Sequence, residues 1–254
     1  DLHRRRHSFP TRRSSDLKKQ VPLEKRIHGC SFFLDGCRYL LHNDKLIISG
    51  GRDEYSEYNI VLQYDIREYT LTRLDDMNYS HTYHTMEYNT MIDSIVVIGG
   101  ENNKTCEVYE IHANKWHKLP ALTLGRANIQ LFFDKRRSHL YSFFGQVGNI
   151  LDNCYSDVIE VLDFNDMEKG WARIVYENRS EMNLSYYCGI YPLFKDMILM
   201  IGGNQSRNKL RSSSVYDVKK QELAKVDDRL LEELRVEARK SPRLSIILAK
   251  LTSS

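Results

Sequence analysis

The chain has 254 residues, 41% of them hydrophobic and 28% charged, with a mean hydropathy of −0.52. That composition excludes wholesale disorder, supplies apolar sequence for one large or two ordinary domains, and contains nothing near the ~18 uncharged apolar residues a membrane helix needs. The formal charge of +3 is carried entirely by residues 1–17, which hold five Arg against two acids. The remainder is neutral, which argues against a dominant basic face for nucleic acid.

In chain order, the first segment is DLHRRRHSFPTRRSSDL. His7 to Leu17 resembles a translated short-read sequencing adapter, and Asp1 to His3 fits the adapter's upstream part. Residues 1–17 are therefore read as an artefactual, disordered leader outside the fold, and the authentic chain is expected to start near Lys18 with its own N-terminus missing.

From there the sequence repeats itself. Three apolar runs end in a double glycine: KLIISGG closing at Gly50-Gly51, SIVVIGG at Gly99-Gly100 and MILMIGG at Gly202-Gly203. A fourth, HLYSFFGQ, keeps only Gly145. Each is followed by a second apolar run closed by an aromatic or Leu and an acid: Tyr64-Asp65, Tyr109-Glu110, Leu162-Asp163 and Tyr216-Asp217. Seven residues after the three tyrosines stand Leu71, Trp116 and Leu223, whereas Trp171 follows Leu162 by nine, which implies a two-residue insertion in that turn. These landmarks recur at 45, 53 and 54 residues, a period of propeller blades and not of helical repeats. Short β-branched and aromatic runs between Asp-Gly and Asn-Asp turns predict antiparallel strands. The second strand is expected to be buried on both faces, the glycines to turn the chain where a Cβ would clash, and the acid after Tyr to start the next turn through side-chain to backbone bonds.

Taken together, the glycine pair, the Tyr-acid pair, the Trp and an Arg ahead of the innermost strand (Arg26 in RIHGCSFF, Arg126 in RANIQLFF) resemble kelch repeats. The resemblance implies an all-β fold, a partial kelch-type β-propeller of about four four-stranded blades, spanning roughly residues 26–76, 78–120, 126–175 and 184–226 within a domain of residues 18–226. Unit three departs with Phe-Gly in place of Gly-Gly, and two units have Leu for Trp. Residues 227–254 are read as a short helix or exposed turn over DDRLLEELRVEARK followed by PRLSIILAKLTSS, the start of a further blade or a closing strand. The chain is accordingly expected to be a truncated propeller.

Chemistry is sparse. His81-Thr82-Tyr83-His84 is the densest histidine cluster, but on a strand residues i and i+3 face opposite sides, so no metal site is expected from it. HExxH, GxSxG, Walker A and GxGxxG motifs are absent from the sequence. The five cysteines, Cys30, Cys37, Cys106, Cys154 and Cys188, show no CxxC spacing and are read as free thiols, which favours a reducing, cytoplasmic setting. Five N-x-S/T sequons, at Asn78, Asn103, Asn178, Asn183 and Asn204, point the other way.

Recognition on such a scaffold belongs to its loops. Polar segments follow the glycines, including Arg52 to Tyr55, Gln146 to Tyr155 and Asn204 to Asn208. In kelch adaptors, partner peptides are held by side chains just after the double glycine and by the repeat's Arg; the resemblance thereby implies Arg52, Asn102, Arg126, Gln146 and Asn204, to which the loops add Tyr55 and Arg207. The expected function is a non-catalytic protein-interaction module with a protein partner, no cofactor or metal, no nucleic acid and no membrane. It would act as a substrate adaptor, with a BTB-type or F-box-type region upstream, or as an actin-associated scaffold. The alternative is a propeller enzyme, resembling copper radical oxidases or a sugar-modifying enzyme, which would bring Tyr, His and Cys together on the propeller axis.

Overall fold

The computed structural model describes residues 34–152, 154–176, 189–193, 196–201, 204–205, 208–209, 213–241 and 244–245. The chain divides into two units, residues 1–34 and 35–254, and every element below belongs to the second. Arg26, Cys30, Asn178, Asn183, Cys188, Gly202, Gly203 and Arg207 lie outside the described residues, as do the adapter-like leader and most of the segment after the helix.

Among the described residues, four antiparallel four-stranded sheets follow one another in chain order. Sheet 1 is β1 (Arg38–His42), β2 (Lys45–Ser49), β3 (Val61–Asp65) and β4 (Thr70–Arg73). Sheet 2 is β5 (Thr85–Asn89), β6 (Ser94–Gly100), β7 (Asn103–Glu110) and β8 (Lys115–Leu119). Sheet 3 comprises β9 (Gln130–Asp134) and β10 (His139–Phe143), then, after a two-stranded ribbon of β11 (Gln146–Val147) and β12 (Cys154–Tyr155), β13 (Ile159–Asp163) and β14 (Ala172–Ile174). Sheet 4 is β15 (Gly189–Pro192) and β16 (Met197–Ile201), then β19 (Ser213–Asp217) and β20 (Glu222–Lys225), with β17 (Asn204–Gln205) and β18 (Asn208–Lys209) forming a ribbon between them. The glycine-terminated run is the second strand of its sheet, and the Tyr-acid run is the third.

The first strands neighbour one another in order, β1 beside β5, β5 beside β9 and β9 beside β15. Successive sheets thus stack face to face around a shared line of inner strands, an arrangement compatible with a propeller-like fold. An apolar layer fills each junction. Ile47, Val61, Met86, Val97 and Tyr109 lie between sheets 1 and 2. Ile98, Cys106, Leu131, Leu140 and Leu162 lie between sheets 2 and 3. Phe143, Ile159, Ile198, Met200 and Tyr216 lie between sheets 3 and 4. A strand sandwiched this way has no solvent face, which is why all seven residues of β6 are buried.

The hairpins obey the sequence landmarks. Tyr64 pairs with Leu71, Tyr109 with Trp116 and Tyr216 with Leu223, and the extra residues before Trp171 form a 3-10 turn at Met167–Lys169. Asp65 accepts the backbone N–H groups of Arg67 and Glu68 at 2.9 and 3.0 Å, and Asp217 those of Lys219 and Lys220 at 2.9 and 3.0 Å. These carboxylates shape the turn to the outermost strand. Each Trp reaches back to the preceding sheet's end: the Trp116 indole donates to the Asp75 carbonyl at 2.8 Å and that of Trp171 to the Pro120 carbonyl at 2.9 Å.

One expectation shifts. The sequence reading sets Arg26 ahead of the first innermost strand, yet that strand is β1, which begins at Arg38. The C-terminal helix α1 (Asp228–Ala238) is present, capped by the Asp227 carboxylate accepting the Leu230 N–H at 2.8 Å. Its Leu234, with Leu244, packs against Tyr191, Leu193 and Val226 of the sheet 4 region.

Candidate functional site

The β2–β3, β6–β7 and β10–β13 connections emerge at one end of sheets 1 to 3, together with the linkers that lead from one sheet to the next. Here the backbone comes into close contact. A Cβ on Gly50 would lie 2.2 Å from the His81 carbonyl oxygen, and one on Gly99 would lie 2.5 Å from that of Arg126. Both glycines also have φ above +50°, so position and conformation each demand glycine. The next N–H then bonds across the junction, Gly51 to the His81 carbonyl at 2.8 Å and Gly100 to the Arg126 carbonyl at 2.9 Å.

The loops that leave these glycines touch one another. Arg52 donates through Nε to Asp35 Oδ2 at 3.2 Å and through Nη1 to Glu101 Oε2, while its guanidinium lies 5.4 Å from the centre of the Tyr83 ring. The other Glu101 oxygen accepts the Ile150 N–H at 2.8 Å. Arg52, Glu101 and Ile150 therefore link the loops of three successive sheets. The Tyr83 hydroxyl donates to Asp35 Oδ1 at 2.5 Å, and burial, then that carboxylate, push its pKa up to about 12.

Two large side chains on these loops are exposed, Tyr55 and Leu151. Asp53 Oδ1 accepts the N–H groups of Tyr55 and Ser56, both at 2.8 Å, and its Oδ2 accepts the Tyr58 hydroxyl at 2.5 Å. The Tyr58 hydroxyl and then these N–H groups hold the Asp53 carboxyl below its ordinary value. The loop so pinned leaves Tyr55 89% exposed. Leu151, in a 3-10 turn whose Ile150 carbonyl accepts from the Gln146 side-chain amide, is 77% exposed.

The sequence-derived candidates thus separate. Arg52 and Tyr55 sit on this surface, and Asn102 occupies the exposed β6–β7 turn with φ 53°. Gln146 is buried, shaping the loop from below. Asn204 belongs to β17. Arg126 is 0% exposed: its Nη1 donates to the Phe144 and Val158 carbonyls at 2.6 and 2.8 Å, and its Nη2 to Ser142 Oγ at 2.9 Å and to Glu160 Oε2. A guanidinium committed in this way braces its own sheet.

The histidine pair departs from expectation. Residues 81–84 are not a strand, Tyr83 takes φ 52°, and both imidazoles turn inward with ring centres 5.5 Å apart, fully buried. Among the described residues no group of three or more His, Cys, Asp or Glu side chains is placed to hold a metal ion. Nor is any described helix long and apolar enough to cross a membrane.

Sequence reasoning missed Asp35 and Tyr83, and also the buried carboxylates Glu107 and Glu160. For the last two a signal existed: each stands two residues before its third-strand landmark, in a strand with both faces covered.

The fold and this surface define a class, an all-β repeat of stacked four-stranded sheets with its connecting loops gathered at one end. No protein-family model and no curated protein matches the chain.

Proposed function

We propose that the chain is a kelch-type propeller protein that acts as a non-catalytic recognition module, holding a protein partner against the loops that follow its second strands. Support for the kelch reading comes from the conjunction of glycine-ended second strands, Tyr-acid third strands and outer-strand Trp residues that bond back to the sheet before. Support for recognition comes from one observation above all. Three loops from three sheets are cross-linked through Arg52, Glu101 and Ile150, and they carry exposed Tyr55 and Leu151 outward on pinned turns. A large aromatic presented on a preorganised loop loses little entropy on binding, which is the property of an interface anchor.

The experiment is affinity capture from cells with the full chain and with a Tyr55→Ala/Leu151→Ala variant, both checked for equal melting temperature. Partners retained by the parent should fall at least 10-fold in recovery with the variant. Recovery of the same partners in equal amount would dismiss the surface. Arg126 does not belong in this test, because its removal strikes the fold.

A further inference from the structure

Side chains of sheet 1 alternate between two faces. Ile47 and Val61 turn toward sheet 2. The opposite face carries two rows of ladder partners across β1, β2 and β3: Tyr39, Ile48 and Leu62, and beside them Leu41, Leu46 and Tyr64. The repeat identifies what this face is. With the sheets aligned on Tyr64, Tyr109 and Leu162, the strand registers place Tyr39 where sheet 2 has Met86 and sheet 3 has Leu131. Met86 and Leu131 lie in the layers shared with the preceding sheet and are 7% and 3% exposed, whereas Tyr39 is 74% exposed. Leu41, the equivalent of half-buried Tyr88 and Phe133, is 61% exposed. Sheet 1 thus has the face that receives a neighbouring sheet, and its two large side chains on β1 stand in solvent.

Sheet 4 is finished differently. Tyr191, Leu199 and Val215 are partners on the face turned away from sheet 3, and Leu199 and Val215 are 0% and 4% exposed. Helix α1 supplies cover there, with Leu234 packed against Tyr191. A second copy therefore cannot lay its sheet 1 on sheet 4 head to tail, because α1 holds that place. What two copies can bring together is sheet 1 with sheet 1, a contact that closes on itself about a two-fold axis. Charge permits it. Among the described strand residues on this face only Arg73 is charged, and it donates to its own counter-ion, Asp76 Oδ2, at 2.6 Å. Like charges are thus not driven together when the face meets its own copy. Area sets the strength. Four strands about 4.8 Å apart and five residues long offer roughly 300 Å² of flat face, so two such faces bury on the order of 1,000 Å² in all, enough for a specific but reversible contact.

We propose that this face of sheet 1 is a dimerisation surface, on which a second copy of the chain lays the same face and buries Tyr39 and Leu41 of both copies. The driving force is removal of apolar side chains from water, and the contact reuses the mode of packing that joins one sheet to the next within the chain. The loops that carry Tyr55 and Leu151 leave from strand ends and not from this face. The inference rests on the fold and stands apart from the recognition reading.

The test is sedimentation equilibrium of the full chain from about 1 to 100 µM, with Tyr39→Glu/Leu41→Glu and Tyr55→Ala/Leu151→Ala run beside it. The parent should show a reversible monomer–dimer equilibrium. The double Glu variant should weaken it at least about 100-fold, because each copy would bury two carboxylates without a counter-charge; the Tyr55/Leu151 variant should dimerise like the parent. A parent that stays monomeric throughout, one that grows beyond the dimer, or a dimer that the Glu variant leaves intact would each overturn the proposal. Should the Glu variant fail to fold, hydrogen exchange of the parent decides: peptides covering β1 and β2 must gain protection as concentration rises, and unchanged exchange there refutes the contact.

Discussion

At the scale of single residues, Arg126 illustrates how burial changes the meaning of a charge. Its guanidinium and the Glu160 carboxylate are both 0% exposed, so neither is compensated by water if its partner goes. Breaking a buried pair from one side costs more than the pair contributes, because the survivor keeps its desolvation penalty. Glu160→Gln should therefore destabilise the chain by about 3–5 kcal/mol in urea unfolding, whereas the double change Arg126→Met/Glu160→Met should cost much less. A Glu160→Gln midpoint matching the parent would mean that the carboxylate is not the counter-charge. Asn78, Tyr79 and Thr123 carry the same lesson from the other side, since their backbone N–H groups feed these buried carboxylates.

At the scale of elements, two glycines with similar φ separate conformation from crowding. Gly99 has φ 65° and an Arg126 carbonyl oxygen 2.5 Å from any added Cβ; Gly170 has φ 68° and nothing nearer than 3.8 Å. Gly170→Ala should cost about 1–3 kcal/mol, the penalty of its backbone conformation (φ 68°, ψ −164°) alone, while Gly99→Ala should cost more, because a neighbouring backbone must also move. Equal losses in thermal unfolding would remove the crowding argument. This contrast also marks what the sequence makes legible. The double glycines, the Tyr-acid pairs and the Trp spacing are imposed by strand pairing and tight backbone approach, so they survive as readable patterns. In sheet 3, Phe144 takes the first glycine's place at φ 55° and turns its side chain into the layer beneath sheet 4, so the pattern bends where packing offers compensation. The loop surface was less readable. Arg52 and Arg126 are alike as letters, and only the carbonyls and the carboxylate converging on Arg126 bury it. His81 and His84 meet because Tyr83 adopts a left-handed backbone, a local choice that strand periodicity cannot express.

At the scale of the whole molecule, stability is distributed over junctions, each an apolar layer between one sheet and the next. Stacked repeats of this kind gain most from nearest neighbours, and damage at one junction should be felt on its two sides before it is felt elsewhere. Phe143 is the residue to remove. It is buried between sheets 3 and 4, edge-on to Tyr216 at 5.4 Å and stacked with Tyr141 at 6.2 Å, and Phe143→Ala leaves a cavity expected to cost about 3–5 kcal/mol. Hydrogen exchange should then accelerate in β10, β13, β16 and β19, while amides of β2 and β3 keep most of their protection, because the layer around Ile47, Val61 and Val97 is untouched. A uniform loss across all four sheets would show that the junctions melt as one cooperative body. In that case the inner-strand contacts linking β1, β5, β9 and β15 would outweigh the sheet-to-sheet layers in holding the fold.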